Sequence, residues 1–211
     1  MVRSRLRFAL GVQPLSQGWG DRGQPLHRDY LEHFLQEFSA DIRGHCLEFD
    51  EDRYASRFGG SRRTKLDVLH REPGNPRATL IADLTEPNDI PSNLFDCIIC
   101  TYVLHVVFDF RKMVGELHRL LKPRGVLLVA VPDITMCYPY HHELWRFTAE
   151  GLGLVLAEPF RDDNVMVRSY GNSLTAAGWL RGLVGRDFTE AERAHHDPRF
   201  AMLLCARAVK P

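Results

Sequence analysis

The chain has 211 residues, 27 basic and 27 acidic side chains, and a formal net charge of zero. That balance leaves no electrostatic footprint for nucleic acid or an anionic membrane as main partner; the one basic cluster, Arg62-Arg63-Thr64-Lys65, is short and reads as a solvated loop. The length suits one domain with a proper core and excludes two large ones.

The N-terminal apolar stretch Phe8–Val12 is short and runs into Pro14, so neither a signal peptide nor a membrane span is expected, and the expected compartment is the cytoplasm. Five cysteines occur. Cys97 and Cys100 form a CxxC, but inside an expected strand, where positions three apart face opposite ways. They cannot chelate one metal and are expected to be buried thiols.

Residues 1–24 are rich in Gly, Gln and Arg and read as an irregular arm or lid before a single domain over 25–211. Tyr30, Leu31, Phe34, Leu35 and Phe38 recur at helical spacing, so Leu26–Phe38 is expected to be a helix with one buried face. Strands are expected at Cys46–Phe49, Thr64–Leu69, Ala78–Ala82 and Cys97–Val103, with a turn at Pro73-Gly74-Asn75-Pro76. From Asp109 a helix presents Phe110, Met113, Val114, Leu117 and Leu121, and Lys122-Pro123 ends it. Val126–Val131 is a fifth strand. A helix over Trp145–Leu156, a strand over Val165–Tyr170, a helix over Leu174–Val184 and a strand over Ala201–Val209 complete the chain. The repeated strand–helix order argues for an α/β fold with a mostly parallel sheet covered on both faces.

The segment Leu94–Pro132 carries the most information. Phe95-Asp96, Val103-Leu104-His105, Glu116-Leu117 and Leu121-Lys122-Pro123 stand in one strand–helix–strand unit that ends at Pro132. This wording resembles the second half of class I S-adenosylmethionine-dependent methyltransferases. The resemblance implies their Rossmann-like fold, a seven-stranded sheet with a final hairpin-like pair. A finer resemblance covers Pro14 to Pro211. It rests on Asp21–Leu35, on Cys46–Gly60 (CLEFDEDRYASRFGG) and on Trp145-Arg146-Phe147-Thr148. These phrases are similar to a methyltransferase type 11-like subgroup associated with glycosyltransferases and polysaccharide biosynthesis.

The resemblance implies S-adenosylmethionine as cofactor. It puts Glu48 near the methionyl part, Asp67 at the ribose, and Asp83 with Leu84 at the adenine. Phe49, Asp50, Tyr54 and Thr101 would lie on the cofactor's side. In open parallel sheets ligands do collect at the carboxyl ends of strands. A carboxylate there can accept ribose hydroxyls or favour a sulfonium, or it can simply cap a turn. One departure is plain. The family's glycine-rich loop after the first strand is missing, and Asp50 occupies the first glycine's place. Asp50, Glu51 and Asp52 would repel a carboxylate-bearing cofactor unless Arg53 or Arg57 compensates. Arg22, Arg28 and Tyr30 either close over the cofactor or serve in salt bridges and helix packing.

For the chemistry, His105 is the best base by position, or a packing residue beside the cofactor, and Asp21 is a second candidate if the arm is a lid. Tyr138, Tyr140, His141 and His142 follow the fifth strand and suit a hydroxylated or aromatic substrate, or form an ordinary polar loop. Neither His141-His142-Glu143 nor His195-His196-Asp197 has a helical metal-site spacing, so no metal is expected. The expected activity is methyl transfer to a hydroxyl, less readily an amine, of a sugar or secondary metabolite. The expected partner is that small molecule, with a homodimer an open option. The rivals are a methyltransferase-fold enzyme with a non-methylating reaction, and a non-catalytic binding partner.

Overall fold

The strands pair in the order β3 (Leu80–Ile81), β2 (Arg63–His70), β1 (Gly44–Phe49), β4 (Phe95–Thr101), β5 (Leu121–Pro132), β7 (Leu203–Val209), β6 (Val165–Tyr170). The computed structural model describes residues 12–16, 21–138 and 142–211. Strands β1, β2, β3, β4 and β5 are parallel. β7 runs antiparallel between β5 and β6. This is the seven-stranded, Rossmann-like class I methyltransferase sheet with helices on both faces, and its last two strands form the expected antiparallel pair.

Side-chain alternation splits the core into two layers. Ile98 and Cys100 of β4 and Leu127, Val129 and Val131 of β5 face one cluster. Cys97, Ile99, Val126, Leu128 and Ala130 face the other. The CxxC cysteines thus lie on opposite faces, both buried. The first layer is covered by α2 (Phe110–Leu120), through Met113, Val114, Leu117 and Leu120, and by α3 (Ala149–Phe160). The second is covered by α1 (Leu26–Glu37) and by α4 (Ser173–Leu180). Losing one such leucine to alanine costs about 2–5 kcal/mol, so the register of these faces is strongly held.

Several boundaries differ from the sequence reading; the helix expected over Leu174–Val184 ends at Leu180 and the last strand starts at Leu203 rather than Ala201, and three further differences have a visible cause or consequence. Helix α2 stops at Leu120, because the Lys210 ammonium donates to the carbonyls of His118 and Leu121, at 2.9 and 2.8 Å. β5 then begins at once and shifts register against β4 between Phe95 and Cys97. Gly125 is required there, since a Cβ would lie 2.8 Å from the Lys122 carbonyl. Second, α3 begins at Ala149, not Trp145; the Thr148 hydroxyl accepts from the Gly151 amide and sets the start. Third, β3 is only Leu80–Ile81. A short helix α5 (Glu190–Ala194), capped by Thr189, and a π-turn at Ala55–Gly59 were not anticipated.

Of the arm, residues 12–16 dock on the end of α4. The Leu15 amide donates to the Arg181 carbonyl at 2.8 Å. Gly182, at φ 79°, lets this strand approach so closely that a Cβ would sit 2.6 Å from the Ser16 nitrogen.

Candidate functional site

A cavity of about 1080 Å³ opens at the carboxyl ends of the parallel strands. It is the crevice where the strand order reverses between β1 and β4, the place such sheets reserve for ligands. Glu48, Phe49 and Asp50 line it from the end of β1, Leu69 and Arg71 from β2, and Asp83, Leu84 and Thr85 from beyond β3. Thr101, Tyr102 and His105 line it after β4, Tyr138 and Glu143 after β5, and Trp179 from α4.

The loop after β1 is built without the glycines. Asp50 itself adopts a left-handed backbone at φ 63°, a conformation Asp tolerates better than most residues. Its amide donates to the Leu69 carbonyl at 3.0 Å. The chain then turns back over Glu48, whose side chain accepts two backbone amides, from Tyr54 at 2.9 Å and from Ala55 at 2.7 Å. Glu48 is 2% exposed. Burial pushes its carboxyl up to about 7, against the opposing pull of the two amides.

Asp50 and Asp52 find partners, but not in the arginines beside them. Arg53 and Arg57 both pair with Glu32 on α1, at 3.5 and 2.8 Å. Asp50 faces His70 at 3.5 Å and Asp52 pairs with Arg77 at 3.0 Å, while Asn75 donates to the Asp50 carbonyl at 2.7 Å. The turn between β2 and β3 therefore braces the loop.

Further along the wall, Asp83 forms a tight turn, accepting the Thr85 hydroxyl at 2.6 Å and its amide at 2.9 Å, and pairs with Arg71 at 3.0 Å. The Thr85 hydroxyl, with its amide and Arg71, holds the Asp83 carboxyl below its ordinary value, although burial works against this. Arg28 donates to the Tyr54 hydroxyl at 2.7 Å. Next to it His27 is buried, edge-on to Tyr102 at 5.2 Å and to Trp179 at 4.5 Å. Burial first, and then Arg28, push the His27 imidazole down to about 3, so it is a neutral ring at ordinary pH. Neutral aromatic walls beside carboxylates suit a sulfonium cation.

At the far end His105 is buried, and its Nε2 lies 3.6 Å from Glu143 Oε2. The Glu143 side chain is 5% exposed and also accepts from Arg146 at 2.8 Å. Trp145 and Leu144 donate their amides to the His105 carbonyl, both at 3.0 Å, which ties the Glu143 segment to the end of β4.

The cavity brings together Arg28, Glu48, Phe49, Asp50, Tyr54, Asp83, Leu84, Thr101, His105 and Tyr138 from the sequence-derived set. Others fall elsewhere. Asp67 sits inside β2, where its carboxylate accepts from His45 at 2.6 Å, Thr79 at 2.8 Å and Lys65 at 3.0 Å. Burial opposes ionisation there, but these bonds hold the carboxyl below its usual range. Arg22 forks onto Asp187 at 3.0 and 3.3 Å and onto the Gly182 carbonyl at 2.7 Å, so it fastens the arm rather than lining the cavity. Tyr30 stacks on Tyr170 at 5.7 Å in the core. Asp21 accepts the Ser16 hydroxyl at 2.5 Å, away from the cavity wall. His142 is exposed and does not line the cavity, and Tyr140 and His141 lie outside the described residues. His27, Arg71, Tyr102, Glu143 and Trp179 were missed. Only Glu143 had a signal, its place beside the histidine pair. No group of three metal-binding side chains occurs among the described residues. Nor is any helix among them long and apolar enough to cross a membrane.

Residues 59–129 match the family model of a methyltransferase domain. No curated protein matches the chain. Among solved structures, a SAM-dependent methyltransferase from Archaeoglobus fulgidus is similar, with a TM-score of 0.59 and 12% identity over 90% of this chain and 96% of that one. The N-methyltransferase NodS from Bradyrhizobium japonicum WM9, in complex with S-adenosyl-L-homocysteine, gives 0.53 and 16% over 89% and 88%. The cyclase SpnF gives 0.57 and 15% over 100% and 92%. At such identities the structures speak for the fold. The match over residues 59–129 and the shared fold both speak for a methyltransferase domain of the kind that uses S-adenosylmethionine. The residues present fit it: a large strand-end crevice with carboxylates and neutral aromatic rings on its wall.

Proposed function

We propose that this protein transfers the methyl group of S-adenosylmethionine to a hydroxyl of a small molecule, a sugar or a secondary metabolite, with an amine as the lesser option. The observation that carries the proposal is the continuity of one cavity. The loop around Glu48 and Asp50 and the Asp83–Leu84 turn form one end, and His105 with Tyr138 forms the other. The cofactor, when bound, supplies an electrophilic methyl. The protein's own part is to hold the acceptor in line, exclude water and take the hydroxyl proton. His105 is the base in this reading, because a buried imidazole at the end of β4 faces the same space as the cofactor end. Arg28, Phe49, Tyr54 and Thr101 complete the cofactor wall, and Tyr138 faces the acceptor. The working unit is residues 25–211, with 1–24 as an arm fastened by Arg22.

Carboxylates outnumber arginines on the cavity wall, with Glu48, Asp50, Glu51, Asp83 and Glu143 against Arg28 and Arg71. That balance favours a neutral or cationic acceptor over an anionic one. The resemblance to methyltransferases linked with polysaccharide biosynthesis supports the sugar option. The test is calorimetry with S-adenosylmethionine and S-adenosylhomocysteine, followed by transfer of labelled methyl to a panel of hydroxylated acceptors. A folded sample that binds neither compound rules the proposal out.

A second reading is a non-methylating reaction in the same pocket. It is favoured by the commitment of both Glu48 oxygens to backbone amides in place of a glycine loop, and by similarity to the cyclase SpnF. Binding of the cofactor without transfer to any acceptor supports it.

A further inference from the structure

The cavity has a second wall on the β4, β5 and β7 side, away from the Asp83–Leu84 turn beyond β3. It is made by His27 from α1, Trp179 from α4, Tyr102 after β4, Ile134 and Met136 after β5, and Met202 before β7. Tyr102 holds a left-handed backbone at φ 58°, rare for a bulky side chain and concentrated at functional sites. Its amide donates to the Ala130 carbonyl at 2.8 Å, which ties that turn to β5. The His27 ring stands at 79° to Tyr102 and at 71° to Trp179, so the rings form a corner and not a flat stack. Gly171 lets Met202 pack close, since a Cβ there would lie 2.7 Å from the Met202 Cγ. The wall is thus rings, two thioethers and one aliphatic chain, and it carries no charge, because the His27 imidazole is neutral. A polyol turned onto such a surface gives up water at each hydroxyl, at about 1–3 kcal/mol for every one left unmatched. A planar ring gains instead, by about 0.5–1.5 kcal/mol per aromatic contact beyond the burial of its area.

We infer that the acceptor is a phenol: its aromatic ring lies in the corner of His27, Tyr102 and Trp179, against Met136 and Met202, and its one hydroxyl meets the His105 end. This rests on the methyl-transfer reading and takes its secondary-metabolite branch, naming the chemical class. The resemblance that speaks for a sugar rests on the Asp21–Leu35, Cys46–Gly60 and Trp145–Thr148 phrases, and of the six wall residues only His27 falls in them. In the transfer step the phenolic oxygen forms the new bond to the methyl carbon. The carbon–sulfur bond breaks, its electron pair goes to sulfur, and sulfur becomes neutral. The phenolic proton passes to the His105 imidazole and from there to water. A phenol titrates near the tyrosine value of about 10, so an imidazole takes its proton more readily than that of a sugar hydroxyl.

The probes are β-naphthol and methyl glucoside, a phenol and a saccharide, both neutral. Each is titrated calorimetrically into the full chain saturated with S-adenosylhomocysteine. β-Naphthol is expected to bind at least about tenfold tighter than the glucoside. Met136→Asn, on the loop after β5, and Trp179→Leu are each expected to weaken β-naphthol at least about threefold, with S-adenosylhomocysteine affinity unchanged as the check on folding. Met136 is half-buried, so its variant carries the residue test even if Trp179→Leu does not fold. Equal or tighter binding of the glucoside overturns the inference, as does binding of neither probe. β-Naphthol affinity that Met136→Asn leaves unchanged overturns the placement on this wall. Failure of S-adenosylhomocysteine to bind is a separate outcome; it strikes the methyl-transfer reading, and the phenol inference falls with it.

Discussion

Glu48 Oε2 accepts the amide of Ala55 at 2.7 Å, and through that bond a strand-end carboxylate shapes the loop that replaces the glycines. The consequence is a pH-dependent stability. Burial raises the Glu48 carboxyl to about 7 in the folded chain, from an ordinary value of 4.5. The folded state therefore holds a proton that the unfolded chain releases. The contribution is fully present below the unfolded value and is lost as pH rises through about 7. The shift corresponds to something on the order of 3 kcal/mol. Thermal melts of the ligand-free protein from pH 5 to 8 should show stability falling, and Glu48→Gln should flatten that slope. An unchanged slope in the variant assigns the effect to other groups.

The same carboxyl links protonation to the cofactor's charge. A sulfonium near Glu48 favours the ionised form, whereas the neutral sulfur of S-adenosylhomocysteine does not. Binding of S-adenosylmethionine near pH 7 should release protons, read as a dependence of calorimetric heat on buffer ionisation enthalpy. S-adenosylhomocysteine should show a smaller release. Equal release with both compounds places the sulfur away from Glu48.

The sheet was legible because hydrophobic alternation and the Leu94–Pro132 wording depend on local sequence alone. Side-chain destinations were not. Asp67 looked like a ribose ligand, yet β2 continues to His70 and leaves it inside the strand, bound to His45, Lys65 and Thr79. Arg53 and Arg57 looked like partners of the adjacent acids, but the π-turn at Ala55–Gly59 swings both toward Glu32, 21 or more residues away. Glu143 meets His105 only because the fold ties its segment to the end of β4, which brings the two side chains within 3.6 Å. Contacts of this kind depend on tertiary geometry that no spacing rule contains.

Asp50 occupies a left-handed backbone at φ 63°, so the missing glycine is still sterically called for. Asp50→Gly should fold and should keep cofactor affinity within about threefold, because relief of backbone strain offsets the exposed ion pair with His70. Asp50→Val, β-branched at positive φ, should cost about 1–2 kcal/mol of stability and weaken the cofactor. Equal behaviour of the two variants removes the backbone conformation as the reason.

Arg22 fastens the arm through Asp187, whose side chain is 7% exposed. Arg22→Ala leaves Asp187 its bond from the Val184 amide, at 3.0 Å, but removes the guanidinium fork. A loss of about 1–3 kcal/mol is expected in denaturant unfolding. Cofactor affinity should stay the same, since Arg22 does not line the cavity. Loss of affinity without loss of stability makes the arm part of the binding site.

His105 gives the sharpest test of chemistry. Its imidazole is buried at the end of β4 and faces the space that joins the two ends of the cavity. A positioned base contributes about 10²–10⁴ in rate. His105→Ala should lower kcat by that order with any accepted hydroxyl substrate, while S-adenosylmethionine affinity changes little. An acceptor whose hydroxyl is already acidic needs less help, so the loss should shrink as acceptor acidity rises. A packing role predicts another pattern: weakened cofactor binding, a lower melting temperature, and no dependence on acceptor acidity. Wild-type turnover in the variant removes His105 as the base.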